Sequence, residues 1–257
     1  MMGKTARRLV KSVLPRRLLD QLLLIEAGAQ AFRDVRGRHP RECSICGYQG
    51  LFWAKGRQPM VFDGECPRCR SKGRHRQHEL LINRHPDWVD GRTILHFAPE
   101  PCFDQRYQAR SRATGGNYVR AAYEPKKGET QVDMQAIPFP DGMFDTIICH
   151  NVLEHVTDDR KGLSELRRVL RPDGRVLISV PMVEAWEQTY EDPAIATEEG
   201  RDLHFNQNDH LRLYGLDFRD RLKEAGFDHI RYVASEPEVS RYGLERGETI
   251  FIATLAS

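Results

Sequence analysis

From residue 92 to the C-terminal end, short apolar runs alternate with longer segments in which apolar residues return every three or four positions. The runs at 93–97, 117–123, 144–149, 175–180, 229–234 and 248–254 have the length and boundaries of strands. The segments 102–111, 158–170 and 215–226 have the period of amphipathic helices. This alternation predicts an α/β fold, a doubly wound and mostly parallel sheet with helices on both faces. Residues 235–247, between the last two strand candidates, carry no helical pattern, so a hairpin is the economical link and the sheet gains an antiparallel strand at that end. Upstream, residues 16–35 (RRLLDQLLLIEAGAQAFRDV) repeat apolar residues at helical spacing, opening on Arg16 and Arg17 and preceded by Lys4, Arg7, Arg8 and Lys11. They predict a basic amphipathic helix within residues 1–38. It is expected to dock on its own protein; the alternative is peripheral contact with an anionic membrane or a partner.

At 257 residues and 40% apolar, the chain can bury a sizeable core. No stretch approaches the roughly 18 uninterrupted apolar residues of a membrane span. The first residues also lack the unbroken apolar core of a secretory signal, so a cytoplasmic location is expected. The net charge of +2 conceals an asymmetry: residues 1–92 hold 19 Lys and Arg against 9 Asp and Glu, and the remainder 20 against 28. A basic N-terminal part suits RNA, an anionic surface, or the acidic remainder of its own chain.

Cysteine spacing marks off residues 39–91. Cys43-x-x-Cys46 and Cys66-x-x-Cys69 are separated by 19 residues, the knuckle-loop-knuckle spacing of a zinc ribbon, in which four thiolates complete a tetrahedron around one Zn²⁺. Two disulfides or a redox pair are the alternatives. A closed four-sulfur shell has no open position, so the zinc is expected to be structural. His75 and His78 are expected on a connecting helix that leaves the ribbon.

The run VDMQAIPFPDGMFDTIICHNVLEHVTDDRKGLSELRRVLRPDGRVLISVPM, at 132–182, resembles the class I S-adenosylmethionine-dependent methyltransferases of the "type 11" group. With LHFAPEP, LEHV-x-DD, DHLRLYG, the two CxxC pairs and RHR, the chain is similar to a bacterial subfamily that joins a zinc ribbon to such a domain. The resemblance implies a Rossmann-like, seven-stranded-type sheet over 92–257 and S-adenosylmethionine as cofactor. Its binding loop is expected at ILHFAPEP, through His96, Phe97, Ala98 and Glu100. Relatives place glycines there. Here Ala98 is the nearest substitute, and Pro99 removes a backbone donor. The acid that relatives use for the ribose is replaced by Ala122, with Glu124 two residues on. Asp133 and Met134 fit the adenine clamp, and His150 is expected beside the cofactor.

For the chemistry, ICHNVLEHV is expected to face the acceptor. Methyl transfer from a sulfonium needs alignment and, for a hydroxyl acceptor, a base. His155 is the first candidate and His210 the second. Some RNA-terminal methyltransferases that resemble this stretch carry a metal-binding glutamate where Asn151 stands, so no catalytic metal is expected. Residues 181–212 form a long acidic insertion, a lid or a binding segment. The function expected is methyl transfer to a hydroxyl or amine of a small-molecule or glycan acceptor. The alternatives are an RNA methyltransferase that docks through the ribbon and a non-catalytic methyltransferase-like binding protein.

Overall fold

A computed structural model describes residues 15–56 and 61–256; the basic residues Lys4, Arg7, Arg8 and Lys11 lie outside them. Helix α1 (Arg16–Asp34) is followed by two short antiparallel hairpins, β1 (Pro40–Glu42) with β2 (Gln49–Leu51) and β3 (Trp53–Lys55) with β4 (Val61–Glu65). Helix α2 (Gly73–Arg84) then leads into the sheet.

The sheet elements, in chain order, are β5 (Thr93–Phe97), α3 (Pro101–Thr114), β6 (Asn117–Ala122), β7 (Thr130–Gln131), β8 (Phe144–His150), α4 (Asp159–Val169) and β9 (Leu170–Ser179). After them come β10 (Tyr190–Glu191), α5 (Glu198–Phe205), β11 (Arg212–Leu213), α6 (Phe218–Glu224), β12 (Phe227–Val233), α7 (Glu238–Tyr242) and β13 (Thr249–Leu255). Seven strands form one sheet in the order β12-β13-β9-β8-β5-β6-β7, while β10 and β11 pair apart from it. Only β13 runs against its neighbours, pairing antiparallel with both β12 and β9. The antiparallel strand expected from the short final connection is therefore present, although that connection holds the small helix α7.

Strand parity divides the core. Leu95, Phe97, Ala121, Ile147 and Cys149 face one cluster, beneath α4 and α6, whereas Ile94, Ile148, Leu177 and Ile252 face another. This follows from the period of two along each strand. The second cluster also contains Cys43, Ile45, Phe52 and Cys66 of the hairpin region and Leu81 and Ile82 of α2. The cysteine region and the sheet thus share a hydrophobic core. Arg76 reinforces the join: it is fully buried, stacks 4.6 Å from the Phe52 ring, and donates to the carbonyls of Tyr242 at 2.6 Å and Gly243 at 2.6 Å.

The helix expected to dock on its own protein does not do so. Along α1 only Asp34 is buried, and Leu24, Ile25 and Phe32 stand 72%, 68% and 83% exposed. The cores close without it; among the described residues, Asp34 at its C-terminal end pairs with Arg38 and the Val35 carbonyl accepts from Ala54. No helix among the described residues is long and apolar enough to cross a membrane.

Candidate functional site

The four cysteines of the CxxC pairs converge. Cys43 Sγ lies 3.5 Å from Cys69 Sγ and Cys46 Sγ 3.7 Å from Cys66 Sγ, with all four sulfurs within 4.8 Å of one another. None is joined in a disulfide. Sulfurs about 2.3 Å from one tetrahedral ion lie roughly 3.8 Å apart, so the donor set fits zinc.

Helix α2 carries the ribbon's side of the join to the carboxyl ends of the strands. His78 is hydrogen-bonded to His150 at 2.8 Å and to the Tyr107 hydroxyl at 2.8 Å, and His150 continues to the Ser179 hydroxyl at 2.9 Å. His96 meets the Tyr118 hydroxyl at 2.9 Å, and His75 meets Glu100 at 3.0 Å. Burial pushes His96 down to about 4 and His150 down to about 3, so both rings are neutral. Burial works against the Glu100 carboxylate, but its hydrogen bond with His75 holds it below its ordinary value.

A cavity of about 330 Å³ opens on the other face, at the carboxyl ends of β5, β6 and β8. That is the switch point at which an open parallel sheet binds ligands, and the size falls in the range of small-molecule sites. Phe97, Ala98, Asp133, Met134, Gln135 and His155 are among the residues that line it. Ala98 sits at φ 45°, in the left-handed region, with its N–H bonded to the Ala121 carbonyl at 2.7 Å. The turn that glycine makes in relatives is therefore made here by the smallest side-chain-bearing residue. Asp133 Oδ1 accepts from the Gln135 N–H at 2.8 Å, which leaves Oδ2 for a ligand. Thr157 and the Asp158 N–H fix the Gln135 amide through its oxygen, at 2.8 and 3.0 Å.

Four residues expected at the cofactor do not line this cavity. His96 and His150 have the strand parity of the second core, Glu100 turns to His75, and Glu124 is exposed beyond β6. Tyr123, Gln135, Val152 and Thr157, not singled out from the sequence, line the cavity instead. Their only signal was position, beside Ala122, the Asp133-Met134 pair and LEHV.

The part of the cavity that carries His155 is built by the turn after β8 and by the DHLRLYG segment. Asn151 adopts φ 52°, which asparagine tolerates, and turns the chain so that Glu154 points inward. Glu154 is fully buried, neither carboxylate oxygen makes a hydrogen bond of good geometry although the Asn151 amide lies beside it, and burial pushes it up to about 7. His155 and His210 pack ring against ring at 4.8 Å. The His155 Nδ1–H is directed at the Asp209 carbonyl, 3.3 Å away, and the His210 Nδ1–H at that of Phe205, 3.1 Å away. Each ring keeps its other nitrogen free to accept. Arg212 holds the whole turn, donating to the carbonyls of Leu153, Val156 and Thr157 while its Nε pairs with Glu191.

Comparison with known proteins gives four findings. Residues 100–178 match a family model described as a methyltransferase domain. The ubiquinone/menaquinone biosynthesis C-methyltransferase UbiE of Pectobacterium carotovorum is 29% identical over 115 residues, 40% of this chain and 46% of that protein. A probable S-adenosylmethionine-dependent methyltransferase of Mycolicibacterium smegmatis is 28% identical over 162 residues, 60% of this chain and 58% of that one. The chain spans about half the length of these curated relatives. Among solved structures, the 4+2 cyclase SpnF is similar at a TM-score of 0.51 and 14% identity, over 75% of this chain and 86% of that one. The fold is thus the α/β, Rossmann-like methyltransferase fold. A cyclase on that fold shows why the chemistry must be argued from the site.

Proposed function

We propose that the protein is an S-adenosylmethionine-dependent methyltransferase acting on a hydroxyl or amine of a small-molecule or glycan acceptor. The observation that carries this reading is the cavity at the switch point, lined by Asp133 and Met134 and by His155. The family match over 100–178 covers most of the segments that build it. When bound, the cofactor supplies a methyl group on a sulfonium, transferred by in-line displacement. Asp133 accepts from the adenine amine through its free oxygen, and Ala98 lets the main chain approach the amino-acid part. His155, its Nδ1–H directed at Asp209, offers its free nitrogen to the acceptor's proton as the new bond to the methyl group forms. The four cysteines hold a structural zinc in this reading, fixing the end of α2 that supports the site.

The test is incubation with methyl-labelled cofactor and a panel of glycan, phenol and amine acceptors. Label should enter one acceptor class with the wild-type chain. His155→Gln should lower turnover by about 10² to 10⁴, the range for loss of a general base, without changing cofactor affinity. Incorporation into none of these classes, or equal turnover by the variant, would contradict it.

A further inference from the structure

We propose that Glu154, His155 and His210 form a second metal site, for a divalent cation, at the acceptor rim of the cavity. One ring nitrogen of each histidine and one Glu154 oxygen all lie within 4.8 Å of one another. Each of these groups is an acceptor. Both Glu154 oxygens lack a hydrogen bond of good geometry although the side chain is fully buried. Buried acceptors left unpaired are costly, and a group that supplies positive charge removes the cost.

The spacing selects a cation over a shared proton. His210 Nε2 lies 3.9 Å from Glu154 Oε1, too far for a hydrogen bond. Two ligands each about 2.0–2.2 Å from one ion lie roughly 3–4 Å apart, which is the distance found. The surroundings are those of a metal site as well. Both imidazoles have Nδ1–H directed at a main-chain carbonyl, Asp209 and Phe205, the arrangement that fixes the tautomer of ligating histidines. The Asn151 amide lies beside the carboxylate. A set of two nitrogens and one carboxylate oxygen suits Mn²⁺, Fe²⁺, Co²⁺ or Zn²⁺ better than Mg²⁺ or Ca²⁺.

Asn151 stands where some RNA-terminal methyltransferases that resemble this stretch carry a metal-binding glutamate. The second imidazole instead arrives from His210, 55 residues beyond His155 and held in place because Leu211 donates to the Glu154 carbonyl at 2.8 Å. Three protein ligands leave positions open, and His155 lines the cavity, so those positions face the acceptor. With an ion bound, this would replace the base role given to His155 above: the ring nitrogen ligates the ion, the ion binds an acceptor oxygen and makes its proton easier to lose, and that proton leaves to water. This role rests on the methyltransferase reading; the site itself does not.

The experiment titrates Mn²⁺, which the four thiolates disfavour, into the full chain with its zinc retained, following free Mn²⁺ by electron paramagnetic resonance. One bound Mn²⁺ per chain is expected, with affinity weakened at least about 10-fold in Glu154→Gln, His155→Gln and His210→Gln. Should the buried Glu154 variant not fold, the part-exposed His155 decides, with S-adenosylhomocysteine binding as the check that the variant is intact. A wild-type chain that takes up neither Mn²⁺ nor a second Zn²⁺, or variants that bind Mn²⁺ as the wild type does, would overturn the site. Mn²⁺ binding without S-adenosylhomocysteine binding would support the site and count against the methyltransferase reading alone.

Discussion

Arg212 donates to the main-chain carbonyl of Val156 at 2.6 Å across 56 residues of sequence. With its bonds to Leu153 and Thr157 it makes the DHLRLYG segment the support of the turn that carries Glu154 and His155. The guanidinium is almost wholly buried, its charge balanced by Glu191. Arg212→Lys cannot reproduce this, because one ammonium cannot reach three carbonyls and a carboxylate in the geometry of a planar fork. The substitution should cost about 3 kcal/mol, the scale of leaving buried acceptors unpaired. Thermal unfolding should show a fall of about 6–12 °C. An unchanged midpoint would mean that the turn holds itself.

The left-handed turn at Ala98 gives a prediction of opposite sign. A residue with a Cβ at φ 45° carries about 1–3 kcal/mol of strain, part of which glycine relieves at an entropic cost. Ala98→Gly should therefore be neutral or stabilising by up to about 1 kcal/mol, with cofactor affinity retained. Denaturant midpoints and calorimetry with S-adenosylhomocysteine check both. Clear destabilisation would show that the methyl group packs usefully against the cavity floor.

Acid should unfold the protein through its buried histidines. Above pH 6.5 the rings are neutral in both folded and unfolded chains. Below it the unfolded chain takes up protons that the fold refuses, since His96 titrates near 4 and His150 near 3 when buried. Stability should fall by about 1.4 kcal/mol per pH unit for each of these rings between pH 6.5 and about 4. His96→Gln should flatten that slope in urea titrations across the range. A slope that is flat in the wild type would mean that the rings find water or a counter-charge when protonated.

With zinc at the four cysteines, as proposed, the shared core should make metal and sheet cooperative. Cys43, Phe52 and Cys66 pack in one cluster with Ile94, Phe103 and Ile148, so losing the metal should loosen more than the hairpins. Purified protein should carry zinc at the four cysteines, and Cys66→Ser should lower the single thermal transition of the whole chain. Two separate transitions, with the upper one unmoved, would contradict the shared core.

Much of the fold was legible because its signals are local. The alternation of strands and helices, the antiparallel strand at the end and the cysteine pairs all follow from short-range pattern. At the site, Phe97, Ala98, Asp133, Met134 and His155 line the cavity, and these positions were read from the resemblance of short motifs. His96, Glu100 and His150 were expected beside them, yet the parity that puts Phe97 on one sheet face puts His96 on the other. His150 differs in the same way from Cys149. Their partners His75 and His78 come from α2, and no local pattern shows that this helix packs on the sheet. The exposure of α1 was hidden for the same reason: an apolar stripe states what a helix can bury, not whether the rest of the chain has room for it.

The proposed adenine contact can be probed on its own. Asp133 keeps one oxygen free after bonding Gln135. Asp133→Ala should weaken S-adenosylmethionine binding by roughly 1.5–3 kcal/mol, the value of a hydrogen bond to a charged group. An unchanged affinity would place the adenine elsewhere.

The most direct measurement for the account as a whole is isothermal titration calorimetry of the full chain with S-adenosylmethionine and S-adenosylhomocysteine. The account expects one site per chain for both ligands, with binding weakened by Asp133→Ala and unaffected by His155→Gln. No heat with either ligand, together with a melting temperature that neither shifts, would contradict it.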